Sequence, residues 1–490
     1  MRNFQNIFIK AVSYFFMLLF FYAAISKMMD FENFRVQIAQ SPLLTSFAGF
    51  IAYTVIGIEL LVCFLLAFPR THLAGQYASL SLMSAFTIYI YIILHYSEYI
   101  PCSCGGILEK MSWTQHLVFN VFCVLLSMGA IIMLRKNKRW VRPVVLGIVL
   151  PIFLVIGLYL SSESRFKNEN NFTRRYFPNA LVEDSRISLD HQFYYFAGSN
   201  SEHLFLGDLT SPLTMKKVTP DLTTVQDLKV NLDSYDHFFK RLRLTVKDHY
   251  YYFSDGSVPI IYRGKLNQPI AKTVSYRQVY FNQFIPIDSS RFVFRTISAK
   301  TRSFTLGIQK YDTGAKAVMH PEILRKQADG IFDSDGNLIS TPQAPNLIYT
   351  YMYRNQFIVM DEQLSVLNRE NTIDTTSVAK IRTKTLSDGR TKMNAPPLKV
   401  NKLQTAVNDV LFNQSDLMGK NESEKRWKSS WAIDLYHFRK KQYAGSFYIP
   451  HRKGKKLTGF WASRDRIYVL TGSELISYRY RDHLLQAINQ

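Results

Sequence analysis

The chain has 490 residues and a formal net charge of +22, too long for one ordinary domain. Its first third is intensely apolar and the remainder is polar, aromatic and basic, so a membrane part is expected to be joined to a soluble part. The charge alone would admit nucleic acid, an anionic membrane surface or an acidic polymer. The basic residues are mostly scattered singly through strand-like sequence, however, and no helix-turn-helix, zinc-finger or RNA-binding pattern is present. The charge therefore reads as a solvated basic surface, and nucleic acid is not an expected partner.

Five stretches are long and apolar enough to span a bilayer, which takes about 20 helical residues. They cover roughly 11–29, 47–68, 73–95, 114–134 and 144–160. The third carries Gly75, Ser79, Ser81 and Ser84, small residues that suit a helix packed inside a bundle. Pro151 lies inside the fifth and is expected to kink it. Arg2 and Lys10 precede the first span, Arg70 sits between the second and third, and the run RKNKRWVR lies between the fourth and fifth. Alternating spans bring these basic segments to one side, the cytoplasm by the positive-inside rule. A signal peptide is the rival reading of the first span, and it leaves the orientation of the later ones unchanged. The expectation is a multi-pass protein of the cytoplasmic (inner) membrane with its N-terminus inside. The segment 30–46, the loop around residue 103 and everything after the fifth span then face the extracytoplasmic space, with the lipid bilayer as a partner.

That loop reads PCSCGG and holds Cys102 and Cys104. Three readings stay open. A disulfide across one intervening residue closes a small ring, and strained or exposed disulfides are the labile ones. Gly105 and Gly106 permit the turns this ring needs. Ser112 and Gln115 form a capping-box pattern, so the positive end of the fourth helix would favour a thiolate. The second reading is a soft metal such as Cu(I) held with His95 or His116, although no second cysteine pair or methionine-rich run supports it, and no metal is expected. The third is a structural staple. His116 is a candidate for lowering a thiol pKa, and for it as for His95 an interfacial side chain bonded to water or backbone is the plainer reading.

Cys63 and Cys123 lie inside the second and fourth spans. They read either as small buried hydrophobes or as a secondary, intramembrane thiol pair. Lys27, near the outer end of the first span, can snorkel to the interface, whereas Glu59 lies at membrane depth and requires a partner.

The segments AISKMMDFENF, GIELLVC and PCSCGGILEKMSWTQHLVFN resemble the MauE/DoxX family of redox-associated membrane proteins over about residues 5–135. The resemblance implies a four-helix membrane bundle similar in outline to vitamin K epoxide reductase. It also implies a thiol–disulfide role for Cys102 and Cys104, with Lys27 and Glu59 as family-like polar positions. The methylamine-utilisation member is implicated in disulfide formation in the small subunit of its enzyme. A fifth helix and a large C-terminal domain depart from the family pattern, so the methylamine pathway is not carried over.

From about residue 172 the sequence breaks into short aromatic and β-branched runs between turns such as Asp255-Gly256, Thr313-Gly314, Asp335-Gly336 and Asp388-Gly389. The segments YYFAGSNSEHLFLGDL and YYFSDGSVPIIYRGKL read as a recurring unit. Their spacing suggests blades of about 40–50 residues, and hence six or seven. A six-bladed β-propeller is expected, with a pair of β-sandwiches as the alternative. Residues 368–403, polar and poor in strand signals, read as a long blade insertion. DSDGN at 333–337 resembles the start of a calcium loop, but Ala344 stands where the loop needs glutamate, so it reads as a turn.

The expected domains are a helical bundle at 1–140, a fifth helix and linker at 141–171, and an extracytoplasmic all-β domain at 172–490. The expected function is a membrane-anchored thiol–disulfide component acting on an extracytoplasmic protein through Cys102 and Cys104, with a membrane quinone as electron partner. The alternative is a non-catalytic, membrane-tethered propeller that binds an envelope protein or glycan.

Overall fold

A computed structural model describes residues 2–41, 44, 48–96, 111–135, 141–163, 171–311, 314, 316–341, 345–387, 390–452, 455 and 457–489. The chain divides into two units, Met1–Glu169 with Ile381–Pro397, and Asn170–Lys380 with Leu398–Gln490.

The first unit contains α1 (Arg2–Met29), α2 (Phe31–Gln40), α3 (Ala48–Ala67), α4 (His72–Tyr96), α5 (Trp113–Leu134) and α6 (Val141–Glu163). All but α2 are long and apolar enough to cross a membrane. The most buried of these, α4, packs against α3, α5 and α6, as its small residues predicted. The α1 helix packs against α3 and α5, which completes a four-helix bundle, while α6 lies outside it against α4. The helix runs through Pro151. Leu146, Leu150, Phe153 and Leu154 of α6 stay exposed, as do Leu18 and Phe21 of α1 and Phe122 and Leu125 of α5. Exposed apolar side chains in such bands are suited to lipid.

Residues 30–46 are not simply a loop, because α2 occupies 31–40. Its Phe34 and Ile38 pack with Ala24 of α1 and Ala52 and Ile56 of α3. A short hairpin, Thr383–Thr385 paired with Thr391–Met393, belongs to the same unit. There Glu32 of α2 accepts hydrogen bonds from the Ser387 N–H at 3.1 Å and Lys384 Nζ at 3.3 Å. The Ser387 N–H, then Lys384, hold its carboxyl below the ordinary range.

The second unit is a six-bladed β-propeller. The blades occupy 194–229, 231–276, 283–320, 336–371, 401–450 and 457–480. Four are four-stranded antiparallel sheets built from consecutive strands, and the second gains the short Asn231–Leu232 strand. The last has three strands of its own. Its fourth is Leu181–Ser188, which precedes the first blade and pairs antiparallel with Glu474–Tyr480. The first strands of successive blades touch one another all the way round, with Leu457–Ala462 against Tyr194–Ser199 closing the ring.

Six apolar clusters fill the six junctions between blades. Alternate residues of one strand therefore face opposite neighbours. Tyr349 and Tyr351 join the core shared with the third blade, while Ile348 joins the one shared with the fifth. Burial on both faces explains why these strands read as nearly continuous apolar runs.

The recurring Tyr-Tyr-Phe unit is not a blade period. Tyr194–Ser199 is the first strand of its blade, whereas Tyr250–Asp255 is the second strand of the next. What repeats is a cross-strand pair, Tyr195 opposite Gly207 and Tyr251 opposite Gly264. A Cβ on Gly207 would stand 2.3 Å from the Tyr195 ring, and one on Gly264 would stand 2.1 Å from the Tyr251 ring. The glycines are there because the tyrosines lie across them.

Residues 368–371 form the end of a strand rather than part of an insertion, and the hairpin above lies within the rest of that stretch. Gly336 opens a strand instead of sitting in a turn. Thr313, Asp388 and Gly389 lie outside the described residues.

Asp255 is 1% exposed and accepts backbone N–H groups from Lys240 at 2.6 Å, Arg241 at 2.7 Å, Ser257 at 2.9 Å and Val258 at 3.3 Å. Burial works to raise its pKa, but these donors outweigh it and hold the carboxyl below the ordinary value. Its stabilising contribution is present above the unfolded value near 4 and is lost as pH falls through the lower folded value. An acid titration of unfolding should show this loss, and Asp255→Asn should flatten it while costing about 1–3 kcal/mol at neutral pH. Equal acid sensitivity in both proteins would remove Asp255 from the account.

Candidate functional site

Polar side chains inside an apolar bundle persist only where they are paired, so they mark where chemistry can reside. Lys27 comes from the last turn of α1 and Glu59 from the middle of α3. Lys27 Nζ stands 2.7 Å from Glu59 Oε1, and the two side chains are 13% and 1% exposed. The Phe34 ring of α2 lies 5.6 Å from Lys27 Nζ, and Lys27 also donates to the Ala23 carbonyl at 3.4 Å. Lys27 is thus the partner that Glu59 requires. Oε2 of Glu59 is buried with no hydrogen-bond partner among the described residues.

One turn beyond Glu59 on α3, Cys63 is half-buried with its Sγ 3.5 Å from the Met17 carbonyl. Cys123 of α5 is fully buried, and both thiols are free. They belong to one apolar cluster with Phe16, Phe20 and Val62. No disulfide joins them.

Cys102 and Cys104 lie outside the described residues. In the sequence they fall between the end of α4 and the start of α5. Both parts of the capping box at α5 are present: the Gln115 N–H donates to Ser112 Oγ at 3.3 Å, and the Ser112 N–H donates to Gln115 Oε1 at 2.8 Å. His116 is half-buried in that first turn, with its ring 6.1 Å from Trp113. His95 lies in the last turn of α4, with Nδ1 3.0 Å from the Tyr91 carbonyl and its ring stacked on Tyr91.

A second polar group was not anticipated. Ser13 Oγ of α1 lies 2.6 Å from His72 Nε2 and accepts from Gln76 Nε2 at 2.9 Å. Ser127 Oγ of α5 donates to the Gln76 carbonyl at 3.0 Å. His72 and Gln76 are one turn apart on α4, and that spacing of polar residues in an apolar span was the readable signal. At 1.5 Å per residue, Ser13 is about 21 Å from Lys27 along α1. The bundle therefore holds polar groups at two depths.

In the propeller, Asp333 accepts the N–H groups of Gln327, Ala328 and Gly330, and Asp335 is paired with Arg295 at 2.7 Å. These carboxylates are engaged within the fold rather than displayed as a calcium loop.

Residues 5–135 match the family model described as methylamine utilisation protein MauE. The match ends just beyond α5, and by sequence it includes Cys102 and Cys104. No curated protein matches the chain. Among solved structures, a member of the duf4221 family from Bacteroides vulgatus is 12% identical with a TM-score of 0.42, over 62% of this chain and 99% of that one. A protein from Bacteroides fragilis described as exported is 10% identical with a TM-score of 0.38, over 64% and 98%. A luciferin-regenerating enzyme is 10% identical with a TM-score of 0.34, over 61% and 95%. The chain thus combines a MauE-like multi-pass membrane unit, extended by one helix, with a six-bladed propeller whose architecture rests on its own strand order.

Proposed function

We propose that the chain is a thiol–disulfide exchange component of the cytoplasmic membrane, with Cys102 and Cys104 as the exchanging pair and the propeller as an attached extracytoplasmic binding domain. The observation that carries this reading is the buried Lys27–Glu59 pair within the segment that matches MauE. A carboxylate at that depth is costly, and an intramembrane ionisable residue marks a functional site by default. The basic segments around Arg2, Arg70 and Arg135 support the orientation, with the N-terminus inside and the cysteine pair outside.

In the proposed cycle the Cys102–Cys104 disulfide accepts two electrons from two thiols of an extracytoplasmic protein, which leaves with a disulfide. The resulting dithiol passes two electrons and two protons to a membrane quinone, forming quinol and restoring the bond. Glu59 offers a free carboxylate oxygen on which a proton can rest. The helix dipole of α5, with His116 in its first turn, favours the thiolate that leaves when a partner thiolate attacks the disulfide.

In a Cys104→Ser variant the Cys102 thiolate can attack a disulfide already present in an extracytoplasmic partner and should hold the mixed disulfide, visible on non-reducing gels and abolished in Cys102→Ser. If neither variant changes the oxidation state of any extracytoplasmic protein, the exchange reading is wrong.

A further inference from the structure

Among the described residues, the propeller's buried lysine and arginine side chains are matched to carboxylates, with Arg354 as the exception. Arg174 meets Asp434 at 2.7 Å and Glu422 at 2.8 Å, Lys216 meets Asp190 at 2.8 Å and Asp227 at 2.6 Å, and Arg295 meets Asp335 at 2.7 Å. Arg354 is 2% exposed and has no ion pair among the described residues. It sits in the turn after the second strand of the fourth blade, with its guanidinium 3.6 Å above the ring of the fully buried Tyr351. Two more arginines lie nearby, Arg325 reaching the tyrosine through its backbone and Arg369 bonding to the adjoining segment through its side chain. The Arg325 N–H donates to Tyr351 Oη at 3.1 Å, and Arg354 Nη2 donates to the Arg325 carbonyl at 2.9 Å. Arg369, on the fourth strand, donates from Nη2 to the Ile323 carbonyl at 2.8 Å.

These bonds leave donors over. Arg354 Nε and Arg369 Nη1 are buried without a hydrogen-bond partner among the described residues. An unpaired buried N–H is costly, and a buried charge without a counter-charge is costlier still. Burial, opposed by the Tyr351 hydroxyl and reinforced by the nearby Arg325 and Arg354, pushes the Arg369 guanidinium below its ordinary value. Bracing the 323–325 segment explains the Nη2 bonds of Arg354 and Arg369. It does not explain the missing counter-charge.

We propose that Arg354 and Arg369, with Arg325 at the exposed edge, form a binding site on the fourth blade for a phosphate- or sulfate-type oxyanion. Such a group presents several acceptor oxygens and a full negative charge, which matches forked guanidinium donors better than it matches a lysine. The anion arrives either as the free ion or as a substituent on a larger small molecule.

The test uses the full chain in detergent micelles, with inorganic phosphate, inorganic sulfate and glycerol phosphate as separate probes at constant ionic strength set by chloride. Calorimetric titration and the thermal transition of the β unit are the readouts. At least one probe is expected to bind saturably and raise the transition where chloride does not. Binding of an inorganic ion identifies the free-ion mode, and binding of the ester alone identifies the substituted one. Arg369→Gln, at a half-buried position, should keep the ligand-free transition and weaken binding by about tenfold or more. Arg354→Lys keeps the charge but loses the fork, and it should also weaken binding. Absence of saturable binding by all three probes overturns the proposal. So does unchanged affinity in a folded Arg369→Gln or Arg354→Lys protein.

Discussion

Lys27→Met is expected to destabilise the helical unit by about 3–5 kcal/mol, and the double variant Lys27→Met/Glu59→Leu is expected to recover most of that loss. The reason lies in the asymmetry of a buried pair. With Lys27 present, the Glu59 carboxylate has a cation 2.7 Å away. Without it, a side chain that is 1% exposed must either stay charged with no cation beside it or take up a proton, and it loses its only hydrogen-bond partner among the described residues. Removing both partners leaves an apolar contact among Phe34, Ala24 and Ile56, which the bundle tolerates. Unfolding in detergent followed by helical circular dichroism gives the three stabilities, and the cycle isolates the coupling. Cys63 supplies a local check. Its Sγ lies 3.5 Å from the Met17 carbonyl of α1, so loosening of α1 from α3 in Lys27→Met should open it to a thiol probe, and the repacked double variant should cover it again. Equal losses in the single and double variants would mean that the pair is incidental. Function separates two roles. If the pair only braces the helices, the stable double variant still re-forms the Cys102–Cys104 disulfide at the normal rate. If Glu59 carries protons, that variant is stable and slow.

The features that could be read from the sequence were those whose cause is local. Five apolar runs of membrane length can do little else, and all five are helices. The capping box at Ser112 and Gln115 is a pattern of neighbours, and both of its hydrogen bonds form. Lys27 and Glu59 stood out as polar residues in apolar spans. Their pairing did not, because they are far apart in sequence and meet only when α1 packs on α3. The α2 helix escaped notice because ten residues with mixed charge resemble a loop, although Phe31, Phe34 and Ile38 already follow helical spacing.

The propeller was legible as strands and turns, while its period was obscured. The second strands of the blades begin at Leu204, Tyr250, Arg291, Asn346, Val410 and Arg466, an uneven series stretched by long connections. The Tyr-Tyr-Phe repeat followed a hairpin contact instead of that series. The closing strand, Leu181–Ser188, contains Glu183, Asp184, Ser185 and Arg186 and looks like linker. Its pairing is fixed by the free edge of Glu474–Tyr480 at the other end of the domain, which no local pattern can reveal. The oxyanion site was hidden for a similar reason. Arg325, Arg354 and Arg369 look like scattered surface charge until Tyr351 collects them.

Arg174→Met is expected to destabilise the propeller by about 3–5 kcal/mol. Arg174 lies in the segment that leads into the β unit, before its first strand, and its side chain is fully buried. Nε binds Asp434 Oδ1 at 2.7 Å, Nη1 binds Glu422 Oε1 at 2.8 Å, and Nη2 binds the Leu417 carbonyl at 2.9 Å. Its guanidinium also lies 4.8 Å from the Phe172 ring and 5.5 Å from that of Trp427. The carboxylates are shared further: Ser446 Oγ donates to Asp434, and Tyr176 Oη donates to Glu422 at 2.9 Å. One guanidinium thus neutralises two buried acids and fastens the entry segment to the fifth blade. Methionine fills much of the volume and does neither, so two buried carboxylates lose their cation together. Replacing them as well, in Arg174→Met/Asp434→Asn/Glu422→Gln, should restore part of the stability by removing the stranded charge. Urea unfolding of the full chain, followed by near-ultraviolet circular dichroism of the tryptophans, measures both variants. If Arg174→Met unfolds at nearly the wild-type urea concentration, the network is ornamental and the closing strand alone holds the start of the domain. If the triple variant is no more stable than the single one, the loss comes from the missing hydrogen bonds rather than from stranded charge.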